Sequence, residues 1–378
     1  MRKHAINRFT MSTKKYLPNL DSLRGIAAIL VIVSHFEQLK GHKNIAHLTN
    51  WTILGSTAVT IFFVLGGFLS TYFLINEKLK TGSINYQLFY SKRYIRIWPL
   101  YFILLAISFF WWPAHMGYEY LLLCIFMMSN VAFAMFGLNV VIDPIWTLGA
   151  EDQYYIFHPQ LFRFKNFKTI FYSFVGLMLI YIAIRYGVKW FLNVPAGLRF
   201  FLDKTRFDNF LLGGIGAFVY YKSQKLIAIP HLFSLQFIFQ KWVQIVLAVL
   251  LVLYFAFSTF INPLVFSELL FSLLLMPLIL NLALNDNCIL AIETKWLNFI
   301  GKISFSLYLS HKMILYWFLV WCKKQPILGF IKASPYNHLL LYPIIMCITI
   351  GVAWLLYTYV EKNILLWKEK LVKQSAAQ

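Results

Sequence analysis

Long apolar runs recur through this sequence from residue 20 almost to its end, and they restrict the possible folds more than any other feature. Each has about 20 residues, the length that a helix needs to cross a ~30 Å hydrocarbon layer. The runs lie at 20–39, 52–76, 94–112, 118–137, 144–163, 168–186, 204–222, 242–261, 266–285, 298–321 and 338–360. Only 13% of the residues are charged and 60% are hydrophobic, whereas a soluble domain has about 25% charged residues. The sequence therefore predicts an all-α fold, a polytopic transmembrane helical bundle.

The run at 144–163 differs from the others because polar residues occupy what would be the middle of the membrane. These residues are Glu151, Asp152, Gln153, His158 and Pro159. Ionisable side chains are costly inside a bilayer unless they face a cavity that the protein itself lines. We therefore predict about ten spans plus one re-entrant or tilted segment at 144–163.

Positive charge in the short connecting segments predicts how the spans are oriented. Lysine and arginine are enriched in residues 1–16, after the second apolar run and near the C-terminus, and such segments remain on the cytoplasmic side. Both termini are therefore expected in the cytoplasm, with basic tails at 1–16 and 364–378 on either side of a transmembrane domain at 17–363. On this arrangement five basic residues would face outward, namely Lys189, Arg199, Lys204, Lys323 and Lys324.

The net charge of +20 does not indicate nucleic-acid binding, because neither a soluble basic domain nor a nucleic-acid motif accompanies it. The basic residues instead follow the pattern that orients membrane helices. The cysteines are Cys124, Cys288, Cys322 and Cys347. They lack CxxC spacing and are typical of small packing residues. No metal site is expected.

Two ionisable residues of the first run, Arg24 and His35, are eleven positions apart. At 100° per residue, this spacing puts both side chains on one helix face, about 16 Å apart along the axis. A long anionic ligand would fit, with a phosphate near Arg24 and its reactive end near His35, and a coenzyme A thioester has this layout. The alternative is that Arg24 is an interfacial anchor and His35 a hydrogen-bonded packing residue.

A second basic pair, Arg93 and Arg96, begins the third run with i, i+3 spacing, so the two side chains share a helix face. The planar guanidinium group can bind phosphate through two hydrogen bonds at once. The pair therefore predicts a phosphate clamp. A basic cluster at the start of a span is also an ordinary topology signal, which is the alternative interpretation.

Glu151 lies among aromatic and apolar residues in the run at 144–163. An unpaired carboxylate there would have a raised proton affinity, and otherwise it should pair with a histidine or an arginine. It could also simply neutralise a buried arginine. Other polar or aromatic residues could line a cavity or merely connect helices, namely Trp146, Arg206, Asp208, Ser304, Tyr308 and His311.

The chain resembles the membrane acyltransferase-3 family, whose members O-acylate polysaccharides, lipopolysaccharides, peptidoglycan and some small natural products. Seven stretches carry the resemblance in family order between about residues 17 and 363. They are LPNLDSLRGIAAILVIVSHF, AVTIFFVLGGFLSTYFL, FYSKRYIRIWPLYF, IWTLGAEDQYYIFHP, RFDNFLLGGIGAFV, ISFSLYLSHKMIL and YVEK. No single stretch is decisive, but seven in order are specific.

The resemblance implies roles for five residues. Arg24 and His35 match a basic residue followed after ten positions by the presumed catalytic histidine, and Arg93 with Arg96 matches a paired-arginine motif. Glu151 matches an acidic residue that follows a tryptophan. Two departures stand out: Gly66 replaces a serine in the FFVLSGF pattern, and Thr147 replaces the serine after the tryptophan. The esterase-like C-terminal domain of longer members does not follow the last run, so acceptor selection is expected within the membrane domain or with partners.

The implied function is an integral membrane O-acyltransferase that moves an acyl group, most simply acetyl, from cytoplasmic acyl-CoA to a sugar hydroxyl of a surface polysaccharide or lipopolysaccharide. His35 would act as general base, with Glu151 orienting it, or would itself carry the acyl group. The expected location is the inner, cytoplasmic membrane of a bacterium, where the partners would be the lipid bilayer, a glycan acceptor and proteins of envelope glycan assembly. The rival function is a transporter or flippase of a glycan or acyl precursor. A lipid-linked glycosyltransferase ranks lower because no DxD pair is present.

Overall fold

A computed structural model describes residues 17–41, 51–111, 117–137, 141–191, 194–230, 235–261, 266–323 and 339–367. Nearly all of this described chain is helical, and none of it forms a strand, which confirms the predicted all-α class. The α-helices are α1 Pro18–Gly41, α2 Trp51–Thr81, α3 Tyr86–Trp111, α4 Tyr118–Ile125, α5 Ser129–Phe136, α6 Trp146–Phe157, α7 Phe167–Phe191, α8 Ala196–Thr205, α9 Phe207–Ser223, α10 Leu235–Ile238, α11 Lys241–Ala256, α12 Ser258–Ile261, α13 Ser267–Leu284, α14 Lys295–Lys323 and α15 Leu341–Leu356. A π-helical turn, Tyr357–Glu361, continues α15.

Seven helices in the described residues are long and apolar enough to cross a membrane, so the chain is a multi-pass membrane protein. They correspond to α1, α2, α3, α7, α13, α14 and α15. Two shorter helices follow predicted runs as well: α9 has 17 residues and α11 has 16. The prediction of ten spans therefore remains a prediction.

Besides the run at 144–163, three predicted runs are not single helices. The run at 118–137 divides into α4 and α5 around Met127, which has a left-handed φ of 58°. The run at 204–222 contains the junction of α8 and α9 at Arg206, where φ is 47°. The run at 242–261 divides into α11, which ends at Ala256, and the short α12. At Met127 and Arg206 positive φ interrupts the helix, and hydropathy alone does not reveal such breaks.

The polar run at 144–163 forms α6, which 3₁₀ helices precede and follow at Asp143–Ile145 and His158–Arg163. The 12 residues of α6 rise only about 18 Å, less than a ~30 Å hydrocarbon layer. The length of α6 agrees with the prediction of a segment that does not cross as a single helix.

Glycines hold two pairs of parallel helices at close range. In the first pair a Cβ atom at Gly25 of α1 would lie 2.4 Å from the carbonyl oxygen of Leu297 in α14. In the second pair a Cβ at Gly213 of α9 would lie 2.0 Å from the carbonyl oxygen of Val64 in α2. Real side chains do not tolerate such distances, so glycine is required at both contacts. The close contacts fix α1 against α14 and α2 against α9, and these four helices form the centre of the bundle.

The start of α1 and the end of α15 lie at the same end of the bundle. Ser22 near the start of α1 donates to Asn298 near the start of α14 at 2.7 Å, so these two helices run in the same direction. Ser306 of α14 donates to Glu361 at 2.7 Å, so α15 with its π-helical turn runs back beside α14. The cytoplasmic assignment of this end stays a prediction. Residues 1–16 and 368–378 of the predicted tails lie outside the described chain.

Candidate active site

A cavity of about 710 Å³ lies between α1, α2, α3, α6 and α14. One end, called the basic end here, is lined by Arg24, Lys80, Lys92, Arg93 and Arg96. Lys80 and Lys92 are exposed there, so the cavity opens at this end. Its middle is apolar, with lining residues such as Phe63, Leu65 and Leu69. The opposite end, called the closed end, is lined by Phe62, Thr147 and Tyr308.

Arg24 reaches the cavity from α1. Its guanidinium donates to the hydroxyl oxygen of Ser304 at 3.0 Å and lies 3.6 Å from the carboxylate of Asp21. The side chain remains 19% exposed. The close packing of α1 on α14 at the neighbouring Gly25 brings Ser304 within reach. Arg24 is therefore held in a fixed position while part of its charge stays accessible from the cavity.

Arg93, Glu151 and Tyr155 form a cluster on the cavity wall. The guanidinium of Arg93 lies 3.7 Å from the carboxylate of Glu151 and 3.5 Å from the centre of the Tyr155 ring. The hydroxyl of Tyr155 donates to the same carboxylate. Of the alternatives for Glu151, the structure shows a pairing with arginine, which also fits the interpretation that Glu151 neutralises an arginine charge.

Glu151 does not orient His35 in this structure, contrary to the expectation for a base and its orienting acid. The partners of Glu151 are Tyr155 and Arg93, whereas those of His35 are Val31 and His311. The physical reason is that Glu151, on α6, is already engaged by a nearby cation and a hydroxyl group. Next to it, burial and the charge of Glu151 raise the pKa of Asp152 to about 6.

The closed end of the cavity is formed by a small polar group beneath an aromatic ring. The hydroxyl groups of Thr147 and Tyr308 lie 2.9 Å apart, and each also donates to the carbonyl oxygen of Pro144. The ring of Phe62 meets that of Tyr308 edge to face at 5.4 Å between centroids. Thr147, which replaces the family's serine, thus keeps a hydroxyl group at this position.

His35 does not line the cavity and lies beyond its closed end. Its Nδ1 is 3.2 Å from Nε2 of His311, which is one helical turn after Tyr308 on α14. Arg24 and His35 both contact α14, at Ser304 and His311, which agrees with their predicted common face. The two side chains are therefore aligned along one helix contact, with the cavity reaching Arg24 and ending next to the histidine pair.

Arg206 and Asp208 lie away from the cavity, in a buried ion network with Arg185 and Glu268. Arg185 donates to both carboxylate oxygens of Asp208, at 3.1 and 3.0 Å, and pairs with Glu268. Arg206 pairs with Glu268 and donates to the Ser56 carbonyl oxygen at 3.3 Å. Arg206 and Asp208 therefore connect helices, because Glu268 neutralises the charge of Arg206 and Arg185 neutralises that of Asp208.

Trp146 and His311 also do not line the cavity. The Trp146 ring packs against Phe63 and Phe133, and the Lys204 ammonium group lies 5.4 Å from its centroid. His311 is fully buried beside His35. Of the residues proposed as lining, Ser304 and Tyr308 do face the cavity, and Tyr308 marks the closed end.

Some residues of the cavity and of the ion network were not singled out by the sequence. Tyr155 is four residues after Glu151, a spacing that puts both on one helix face and could have indicated their contact. Lys80 and Lys92 were counted only as topology signals, although both line the basic end. Arg185 and Glu268 gave no signal, because their pairing joins segments 83 positions apart.

The fold and the cavity together define a multi-pass membrane protein with an internal site that is basic at its open end. The sequence matches the profile of the acyltransferase-3 family, described as an acyltransferase domain, over residues 17–358. The chain therefore belongs to this family, and the predicted resemblance is confirmed. No solved structure gives a significant match to the chain.

Two relatives illustrate the family's chemistry. Peptidoglycan O-acetyltransferase OatA of Listeria monocytogenes serovar 1/2a is 27% identical over 234 residues, covering 57% of this chain and 36% of the relative. O-acetyltransferase OatA of Staphylococcus aureus is 26% identical over 227 residues, covering 56% and 36%. The matched part is thus about a third of these relatives. The chain thus belongs to a family of acyltransferase domains, and both of these relatives are named O-acetyltransferases.

Proposed function

We propose that this O-acyltransferase moves an acetyl group from cytoplasmic acetyl-CoA to a sugar hydroxyl of a cell-envelope glycan. The observation that carries the proposal is the cavity, which is basic where it opens and ends beside the histidine pair. The proposed location is the inner membrane of a bacterium, with the basic end facing the cytosol.

The electrostatics of the basic end support a donor with phosphate groups. Five cationic side chains line this part of the cavity, whereas Glu77 and Glu151 are its acidic lining residues. Arg24 and Arg96 are close enough to act on each other electrostatically. An anion between them would relieve that repulsion, and guanidinium groups bind phosphate oxygens with directed hydrogen bonds. Arg24, Arg93 and Arg96 are the proposed phosphate ligands.

The shape of the cavity supports a slender, mostly apolar arm behind those phosphates. Its volume of about 710 Å³ is within the usual ~300–1,000 Å³ of small-molecule sites. Phe63, Leu65 and Leu69 line its middle, and the hydroxyl groups of Thr147 and Tyr308 line its closed end. A thioester carbonyl at the closed end would lie beside these two hydroxyl groups. The acyl group would then lie close to His35, which is on the far side of Tyr308 from the cavity.

The proposed reaction is a direct transfer with His35 as general base. Nε2 of His35 takes the proton of the acceptor hydroxyl while that oxygen bonds to the thioester carbonyl carbon. The carbon–sulfur bond then breaks, and the departing thiolate receives the proton from His35. The products are an ester and the free thiol of coenzyme A, so atoms and charges balance.

The acceptor is proposed only as a class, a glycan hydroxyl presented at the outer half of the bundle. A surface polysaccharide or lipopolysaccharide sugar is the primary proposal. Peptidoglycan, which the name of the Listeria relative gives as its substrate, is the second glycan to examine. Proteins of envelope glycan assembly are proposed as partners that deliver the acceptor.

Mass spectrometry of surface glycans from cells with and without the gene tests this function. We expect ester-linked acetyl groups in the glycan of cells that carry the gene and their loss in its absence. Isotopically labelled acetyl-CoA, supplied to inverted membrane vesicles, should pass its label into the ester. Movement of a glycan or acyl precursor across the membrane without any new ester would instead support a transporter or flippase.

A further inference from the structure

We propose that His311 is a positioning residue that holds the His35 imidazole with its proton on Nδ1, so that Nε2 of His35 is free to accept the proton of the acceptor hydroxyl. This inference rests on the proposed function. It assigns to a neutral histidine the role of orienting the catalytic base, a role that a carboxylate has in many enzymes.

The protonation of His311 follows from its backbone contacts. Its Nδ1 lies 2.7 Å from the carbonyl oxygen of Tyr308 and 3.2 Å from that of Leu307. A carbonyl oxygen only accepts hydrogen bonds, so Nδ1 of His311 must carry the proton. The side chain is fully buried, and a second proton would place an unpaired charge in apolar surroundings. Its Nε2 therefore presents a lone pair.

The lone pair of His311 determines the tautomer of His35. Nδ1 of His35 lies 3.2 Å from Nε2 of His311 and 3.1 Å from the carbonyl oxygen of Val31. Both neighbours are acceptors, so Nδ1 of His35 must be the donor, and its tautomer is assigned from these contacts. In the neutral ring the other nitrogen, Nε2, then has the lone pair that a general base requires.

The carboxylates near this site are engaged elsewhere, which leaves the orienting role to His311. Glu151 pairs with Arg93 on the cavity wall. Asp143 pairs with Lys312, the residue directly after His311, and both side chains are buried. His311 itself is fixed by α14, because its Nδ1 binds carbonyl groups of the preceding turn. A proton can therefore pass through His35 alone while His311 keeps its own.

Two amide substitutions of different length test this role. In His311→Gln the amide oxygen reaches about as far as Nε2 of histidine and can accept the hydrogen bond from His35. In His311→Asn the amide ends near the position of Nδ1 and cannot reach His35. We expect kcat to fall about 10- to 100-fold in His311→Asn, an effect typical of removing a group that orients a functional histidine. His311→Gln should recover most of that loss, and KM for acetyl-CoA should stay within about twofold in both.

Equal kcat values in the two variants, or a change confined to KM, would overturn the inference. A wild-type enzyme that forms no ester would instead overturn the proposed function itself, so the two failures are distinct. A spectroscopic measurement avoids any dependence on the folding of variants. ¹⁵N solid-state NMR of histidine-labelled wild-type protein, with His35 assigned from its missing signals in His35→Gln, should show a protonated Nδ1 and an unprotonated Nε2. The opposite tautomer would contradict the role of His311.

Discussion

The basic end of the cavity and the buried ion network contain the same kinds of residue, yet their charges are balanced differently. In the network, Arg185 and Asp208 are fully buried and 3.0 Å apart. At the basic end the ion pairs are longer and more exposed to solvent. Arg24 and Asp21 are 3.6 Å apart, with 19% and 30% of their side chains exposed. The network therefore satisfies its own charges, whereas the basic end retains positive charge for a ligand.

The difference shows how to separate structural from functional arginines in a membrane bundle. A buried pair with directed hydrogen bonds neutralises its charges, and removing one partner leaves the other desolvated. A partly exposed arginine beside a second cation, as Arg24 is beside Arg96, has charge that an anion can complement. The first kind should control folding, and the second kind should control donor affinity.

Arg185→Met gives the largest effect that this comparison predicts. The substitution leaves the fully buried Asp208 without its main cation, which should cost about 3–5 kcal/mol of stability. Thermal unfolding in detergent, followed by fluorescence-detected size exclusion, should show a much lower midpoint or a loss of folded protein. Lys168→Met, at an exposed position of the same helix, is the control and should unfold like the wild type. An unchanged midpoint for Arg185→Met would show that the network is not structural.

Two neighbouring glycines of α2 provide the next test. A Cβ at Gly67 would lie 1.9 Å from the carbonyl oxygen of Phe210, whereas one at Gly66 would be 3.4 Å from its nearest neighbours and would face the cavity. Gly67→Ala should therefore destabilise the fold by about 3 kcal/mol, the upper part of the range for overpacking. Gly66→Ala should fold normally, and the comparison fails if both variants unfold at the same temperature.

Arg96→Gln should affect donor binding without affecting the fold. Losing one charge-assisted contact to phosphate costs about 1.5 kcal/mol, which is roughly tenfold in affinity. We expect KM for acetyl-CoA to rise by about that factor and the unfolding midpoint to stay unchanged. Lys295→Gln is a matched control, because Lys295 is exposed at the start of α14 and does not line the cavity. A rise in KM for Lys295→Gln as large as that for Arg96→Gln would indicate general surface charge in place of a defined site.

Ser304→Ala should give the smallest effect. The substitution removes the 3.0 Å hydrogen bond that holds Arg24 but leaves the charge of the guanidinium in place. A single hydrogen bond contributes about 0.5–1 kcal/mol, so KM for acetyl-CoA should rise about two- to fivefold. Ser70→Ala, at another cavity-lining hydroxyl, serves for comparison. A loss of affinity as large as that of Arg96→Gln would mean that Ser304 itself contacts the donor.

Some of this arrangement could be predicted from the sequence because it depends on positions within one helix. The common face of Arg24 and His35 follows from a spacing of eleven residues at 100° each, and both side chains do contact α14. The apolar runs likewise predicted the helices, since a bilayer requires long hydrophobic segments.

The remainder depends on contacts between distant segments, which spacing does not encode. The sequence could not show that Arg206 and Asp208 belong to a buried network with Glu268. It placed Glu151 beside His35, whereas the structure gives His35 a histidine partner from α14. The helix break at Met127 was also missed, because a single residue with positive φ leaves no trace in hydropathy.

One measurement tests directly whether acyl transfer takes place at His35, beyond the closed end of the cavity. Inverted membrane vesicles with equal amounts of wild-type or His35→Ala enzyme would receive labelled acetyl-CoA and the glycan acceptor, and labelled ester would be measured over time. We predict that the variant loses at least about 100-fold in rate, as expected when a general base is removed, while KM for acetyl-CoA changes little. Ester formation at the wild-type rate by His35→Ala would contradict this account.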